Sequence, residues 1–175
     1  MSNLLDLALS AHGGLDRWNR FKVLQARMSV GGAIFVAKQN AGLQEDVTYE
    51  ILTHEERVTI DRFAMPDRRL RFAPDRLTLE TLDGSVVEDR HNPRDAFKGQ
   101  TADSAWDTLH VGYFTSYALW TYLNLPFLYT YSGFSPRRSN RGERTGRYGA
   151  GLRQCFRAAS PVIRASKSPT SARTG

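Results

Sequence analysis

Cysteine is almost absent: one residue, Cys155, stands in a chain of 175. That excludes an internal disulfide and any cysteine-built zinc site. Histidine is scarce as well. His12, His54, His91 and His110 form no HxxxH or HxH pair, so no metal and no cofactor is expected. Gly13-Gly14 and Gly31-Gly32 lie outside any strand–GxGxxG–helix or GxxxxGK[ST] setting, and there is no GxSxG elbow; nucleotide binding and serine-hydrolase chemistry find no support. The opening residues lack a basic segment followed by a clean apolar run and a cleavage site, so a cytoplasmic protein is expected.

Acidic residues run out towards the end of the chain. Residues 135–175 carry ten of the 24 basic residues and one of the 18 acidic ones, leaving 14 against 17 in residues 1–134. The high pI therefore belongs to the tail, and a nucleic-acid or anionic-membrane partner is expected only through it. Arg, Ser, Gly, Ala, Pro and Thr make up 31 of those 41 residues, a mixture that supplies neither a sheet face nor a helix face. Two readings stand: a natural disordered basic tail, or a frameshifted or truncated end, since the change falls abruptly within an aromatic segment.

Residues 108–136 contain no Asp, Glu, Lys or Arg, long enough to cross a bilayer. Yet His110, Thr115, Ser116, Thr121, Asn124 and Pro126 interrupt it, which points to a buried aromatic helix and no transmembrane segment.

What the chain does have is period. Leu4, Leu7, Ala8 and Ala11 recur at helical spacing over residues 3–12, with Ser2 as cap and Gly13-Gly14 as terminator; that face is expected on the core. Leu15 and Trp18 suggest a further turn. The period then becomes two: Leu24, Ala26, Met28 and Val30, bent at Gly31-Gly32 and continued by residues 33–36; then Val47, Tyr49, Ile51; Val58, Ile60; Leu70, Phe72; Leu77, Leu79. Connections this brief join antiparallel neighbours and leave no room for helical crossovers. Arg62, Arg68, Arg69, Arg71 and Arg76 interleave with Asp61, Asp67, Asp75 and Glu80, a neutralised wet face before a phosphate site. After a polar loop, a second helix is expected from about Ala105, capped by Asp103 or Ser104 and broken by Pro126.

The segments 11–18 (AHGGLDRW), 90–99 (RHNPRDAFKG) and 106–120, with Trp106-Asp107, Tyr113-Phe114 and Tyr117-Ala118-Leu119-Trp120, resemble blocks of bacterial proteins grouped with the LolA-like, lipoprotein-carrier-like half-barrel. The resemblance covers about residues 5–134. It implies an α+β fold: a curved, unclosed antiparallel sheet with helices on its concave apolar face, probed by hydrophobic ligands. The domains expected are residues 1–134 as a half-barrel lacking its last strands, and 135–175 as the tail. It does not itself imply lipoprotein transport.

Trp106, Tyr113, Tyr117 and Trp120 are the candidate ligand contacts, with Phe114 and Tyr122 nearby; the competing reading is plain core. His110, beside Asp107 and Tyr113, is a candidate base or a buried, hydrogen-bonded histidine. The expected function is non-catalytic binding of a hydrophobic small molecule or lipid moiety. The alternatives are a cofactor-free enzyme on the same fold and a truncated, non-functional product.

Overall fold

A computed structural model describes residues 4–132 and the backbone of strand Val162–Lys167. Six strands form an antiparallel meander: β1 (Phe21–Met28), β2 (Val47–Leu52), β3 (Val58–Asp61), β4 (Arg68–Ala73), β5 (Arg76–Thr81) and β6 (Val86–His91). Each pairs with its neighbour in sequence, and the sheet does not close. A seventh strand, β7 (Val162–Lys167), pairs antiparallel with β1 on the opposite side from β2. β7 lies within the segment whose composition suggested no regular structure; the rest of that tail lies outside the described residues.

The two-residue period sets the layering. Val47, Tyr49, Ile51, Val58, Ile60, Leu70, Phe72, Leu77 and Leu79 are buried on one face, and Phe35, Leu109, Val111, Leu119 and Trp120 from two helical elements pack there. Cross-strand ion pairs cover the other face. Asp61 lies directly opposite Arg69, which lies opposite Glu80. Arg69 bonds Asp61, Arg71 reaches Glu80 at 2.6 Å and Arg76 binds Asp89 at 2.9 Å. Arg62 and Arg68 reach Asp46 and Asp67. The five arginines are thus neutralised.

The helical elements are α1 (Leu4–Ala11), α2 (Leu15–Trp18), α3 (Ala33–Ala37) and α4 (Thr108–Asn124), with 3-10 turns at Pro93–Phe97 and Phe127–Thr130. Three differ from expectation. None of α1 is buried, and Leu4 and Leu7, expected on the core, are exposed. Residues 33–36, read as strand, form α3 instead: Gly32, at φ 136°, turns the chain so that Phe35 drops into the core while Val36 stays outside. A four-residue apolar run has no period with which to tell the two apart. Third, α4 begins at Thr108 with Asp107 as cap, not near Ala105.

The reason for the later start is Lys38, immediately after α3. Its ammonium is buried and donates to the carbonyls of Thr101, Ala102 and Ser104 at 2.8, 2.7 and 2.9 Å. The Trp106 N–H donates to Lys38 O at 3.1 Å, and Asn40 Nδ2 bonds Trp106 O. Backbone groups a helix would use are already committed elsewhere.

Among the described residues no helix is long and apolar enough to cross a membrane.

Candidate functional site

The sequence of α4 places a polar cap at one end and aromatic rings down one side. Asp107 accepts from the His110 N–H at 2.8 Å and receives both guanidinium nitrogens of Arg90, at 3.2 and 2.7 Å. Burial pushes the Asp107 carboxyl up, but Arg90 and the His110 N–H together outweigh it and leave it below the usual range. His110 is buried. Its Nε2 lies 3.0 Å from Ala96 O and its Nδ1 2.8 Å from the Asp107 carboxylate. Both ring nitrogens are occupied in building the helix start. The geometry is that of the hydrogen-bonded histidine, and it leaves no free nitrogen for proton abstraction.

Gly112, on the first turns of α4, faces the sheet. A Cβ there would lie 2.7 Å from Leu70 Cδ2, so the helix axis sits closer to β4 than a side chain would allow. That approach presses Tyr113 against the edge of Phe72, with ring centroids 5.7 Å apart.

The aromatic residues divide by burial. Trp106 is half-buried, its ring 5.7 Å from Phe97, 5.1 Å from Phe114 and 5.5 Å beneath the Lys38 ammonium. Tyr113, also half-buried, packs on Phe97 at 5.3 Å and lies parallel to Tyr117 at 6.1 Å. Tyr117 is exposed at 43 % and Tyr122 at 44 %. Trp120 is different. It is buried, and its indole N–H lies 2.9 Å from Leu52 O and 2.7 Å from Glu55 O. Trp120 therefore ties α4 to the β2–β3 turn, and its polar tip is spent.

Two charged residues act electrostatically on Tyr113, and sequence reasoning picked out neither. Glu56 follows Glu55, whose carbonyl is held by Trp120; it is half-buried, and burial pushes its carboxyl up against the opposing pull of Arg94. Arg94 lies in the 3-10 turn Pro93–Phe97, three residues before the Phe97 ring that packs on Tyr113. Burial raises the Tyr113 hydroxyl, with Arg94 pulling the other way and Tyr117 and Glu56 reinforcing the rise. Among the described residues, neither charge and neither hydroxyl of this pair has a hydrogen bond or ion pair.

Further down, the Tyr131 hydroxyl accepts from Trp18 Nε1 at 3.2 Å and bonds Thr53 O, with Asn124 Oδ1 at 3.1 Å. The Trp18 ring stacks on Phe127 at 4.3 Å. His12 Nδ1 lies 2.8 Å from Ala8 O, at the end of α1.

Comparison with protein-family models, with curated proteins and with solved structures gives no match.

Proposed function

We propose that the body is a non-catalytic binder of a hydrophobic small molecule or lipid moiety, taken up along the side of α4 that carries Tyr113 and Tyr117, with Trp106 just ahead of the helix. One observation carries the reading: the parallel Tyr113–Tyr117 pair is partly open to solvent, with hydroxyls that bond nothing among the described residues. A core would bury such rings or satisfy their polar tips. Phe72 and Phe97 pack against Tyr113 and supply apolar surface beside it. Trp120 supports the site from below, as a scaffold residue with its N–H already engaged. The reading takes the unclosed sheet with helices on its apolar face to be a LolA-like half-barrel holding a hydrophobic guest.

Titration with the neutral fluorophore N-phenyl-1-naphthylamine tests this. Tyr117→Ala, at an exposed position, is expected to weaken binding about 3- to 10-fold, the worth of one aromatic contact, with the unfolding midpoint unchanged. Wild-type affinity in that variant counts against the assignment.

A further inference from the structure

Among the described helices, α1 alone buries none of its residues. Its leucines and alanines nonetheless follow the helical period, with only Asp6 and Ser10 polar. Leu5, Ala8 and Leu9 are half-buried, on the side towards the body. Leu4, Leu7 and Ala11, at i, i+3 and i+7, make a second apolar line that is exposed, Leu4 at 83 % and Leu7 at 54 %. Asp6 falls roughly 130° round the helix from the middle of that line. A helix that only meets water has no use for leucines on its outer side; such a line marks a contact surface.

The surroundings of the line are basic and aromatic. The chain reverses at Gly13-Gly14, and Arg17 folds back over that turn: a Cβ on Gly13 would lie 3.3 Å from Arg17 Cδ and 3.3 Å from its Nη1. A guanidinium therefore stands beside Gly13, at the Ala11 end of the line. Arg20 and Lys22 follow, both exposed, and Arg20 Nε donates to Asp16 O at 3.3 Å. Residues 4–22 hold these three cations against two acids, Asp6 and Asp16. The 3-10 turn Phe127–Thr130 docks at the same end of the fold, since the Phe127 ring stacks on Trp18 at 4.3 Å and meets His12 edge-on at 6.4 Å. On that turn Tyr129 is 43 % exposed.

Leucines, a tyrosine and cations at one end of a fold match a lipid surface better than a second copy of the chain. α1 is about 12 Å long, and one line of its side chains falls far short of the roughly 800 Å² per partner that a stable interface buries. A bilayer needs no shape-matched counterpart: it takes apolar side chains below the headgroups and holds the charged tips of arginine and lysine at the phosphates. We infer that α1 lies in the interface of an anionic bilayer, with Leu4, Leu7 and Ala11 turned into it, Tyr129 at headgroup level and Arg17, Arg20 and Lys22 on lipid phosphates. Two leucines and three cations give a reversible contact, not a permanent insertion. The inference goes beyond the α4 binding site and does not rest on it.

The test uses the full chain with two kinds of vesicle, phosphatidylcholine alone and phosphatidylcholine with one third phosphatidylglycerol. The ten basic residues of 135–175 can also draw the chain to anionic vesicles by charge, so the readout is made local to α1. In a Cys155→Ser background, Leu7→Cys and Asp6→Cys each carry a nitrobenzoxadiazole label, one on the apolar line and one away from it. The label at position 7 is expected to brighten and shift to the blue on anionic vesicles, while the label at position 6 stays as in water. By co-sedimentation, Leu4→Ser combined with Leu7→Ser should weaken partition on the order of tenfold, and Arg17→Gln about fivefold, with the unfolding midpoint unchanged in both. Sedimentation with no change at position 7 assigns the binding to the tail and overturns the anchor. A position 7 label that shifts with protein concentration in the absence of vesicles seats a second copy there and overturns it equally. Equal partition onto the two kinds of vesicle overturns the anionic surface, and no sedimentation overturns the whole inference.

Discussion

At Gly112 a single hydrogen atom in place of a side chain sets how close α4 comes to the sheet. Gly112→Ala would bring a methyl group to 2.7 and 2.9 Å from the two Leu70 methyls, and Leu70 is fully buried. Overpacking of this kind costs about 1–3 kcal/mol; a urea titration should show it, and Gly112→Ala combined with Leu70→Ala should cost less than the sum of the two single changes. Tyr49 illustrates the opposite economy. It is buried, its hydroxyl donates to Gln44 Oε1 at 2.7 Å, and burial pushes that hydroxyl far above its ordinary value. Tyr49→Phe leaves the Gln44 acceptor buried without its donor, at about 1–3 kcal/mol, again read from the denaturant midpoint. Asp107 gives a pH signature. Its folded-state carboxyl is depressed, so its contribution is present above the unfolded-state value and is lost as pH falls through the folded one. Asp107→Asn should therefore be less stable than the parent at pH 7, and the difference should shrink as both are acidified below about pH 4. A gap that stays constant with pH would assign the effect to lost cap geometry alone.

Among elements, the strands were the most legible in the sequence because each buries one face and keeps the other wet, so alternation records them directly. β6 escaped that reading. Its residues Val86-Val87-Glu88-Asp89-Arg90-His91 are exposed or nearly so on both faces, and a strand without a buried face has no alternation to show. The helix start was misplaced for a related reason. What holds residues 101–106 out of a helix is Lys38, more than sixty positions earlier, and no local propensity contains it. Lys38→Met should expose the strength of this clamp. The carbonyls of Thr101, Ala102 and Ser104 lose a shared donor, so amide exchange over residues 101–106 should accelerate well beyond that of the sheet. A uniform rise across the sheet would mean that the loop is held by other contacts. The candidate site was half legible: its aromatic residues follow the helical period, while Glu56 and Arg94, which act on Tyr113 electrostatically from two separate turns, leave no local pattern.

For the molecule as a whole, the sheet presents two edges of different character. β7 covers β1, whereas β6 ends the other side with Val86 at 59 % and Val87 at 51 % exposure. Charged neighbours Glu88, Asp89 and Arg90 break the apolar run, as open edges require. Val87→Lys should lower concentration-dependent light scattering while moving stability by no more than about 0.5 kcal/mol. No change in scattering would mean that β6 is not where copies meet. The bond from Trp18 to Tyr131 spans 113 positions, and those from Trp120 to Leu52 and Glu55 span 68 and 65. On a ribosome the hairpins between β2 and β6 can pair as they emerge, each needing only its neighbour. The residues that tie α2 and the β2–β3 turn to the rest arrive only after the meander is complete. Until Tyr131 has left the exit tunnel, the sheet's apolar face has no permanent cover, and the nascent chain depends on whatever holds such surfaces apart in the interval.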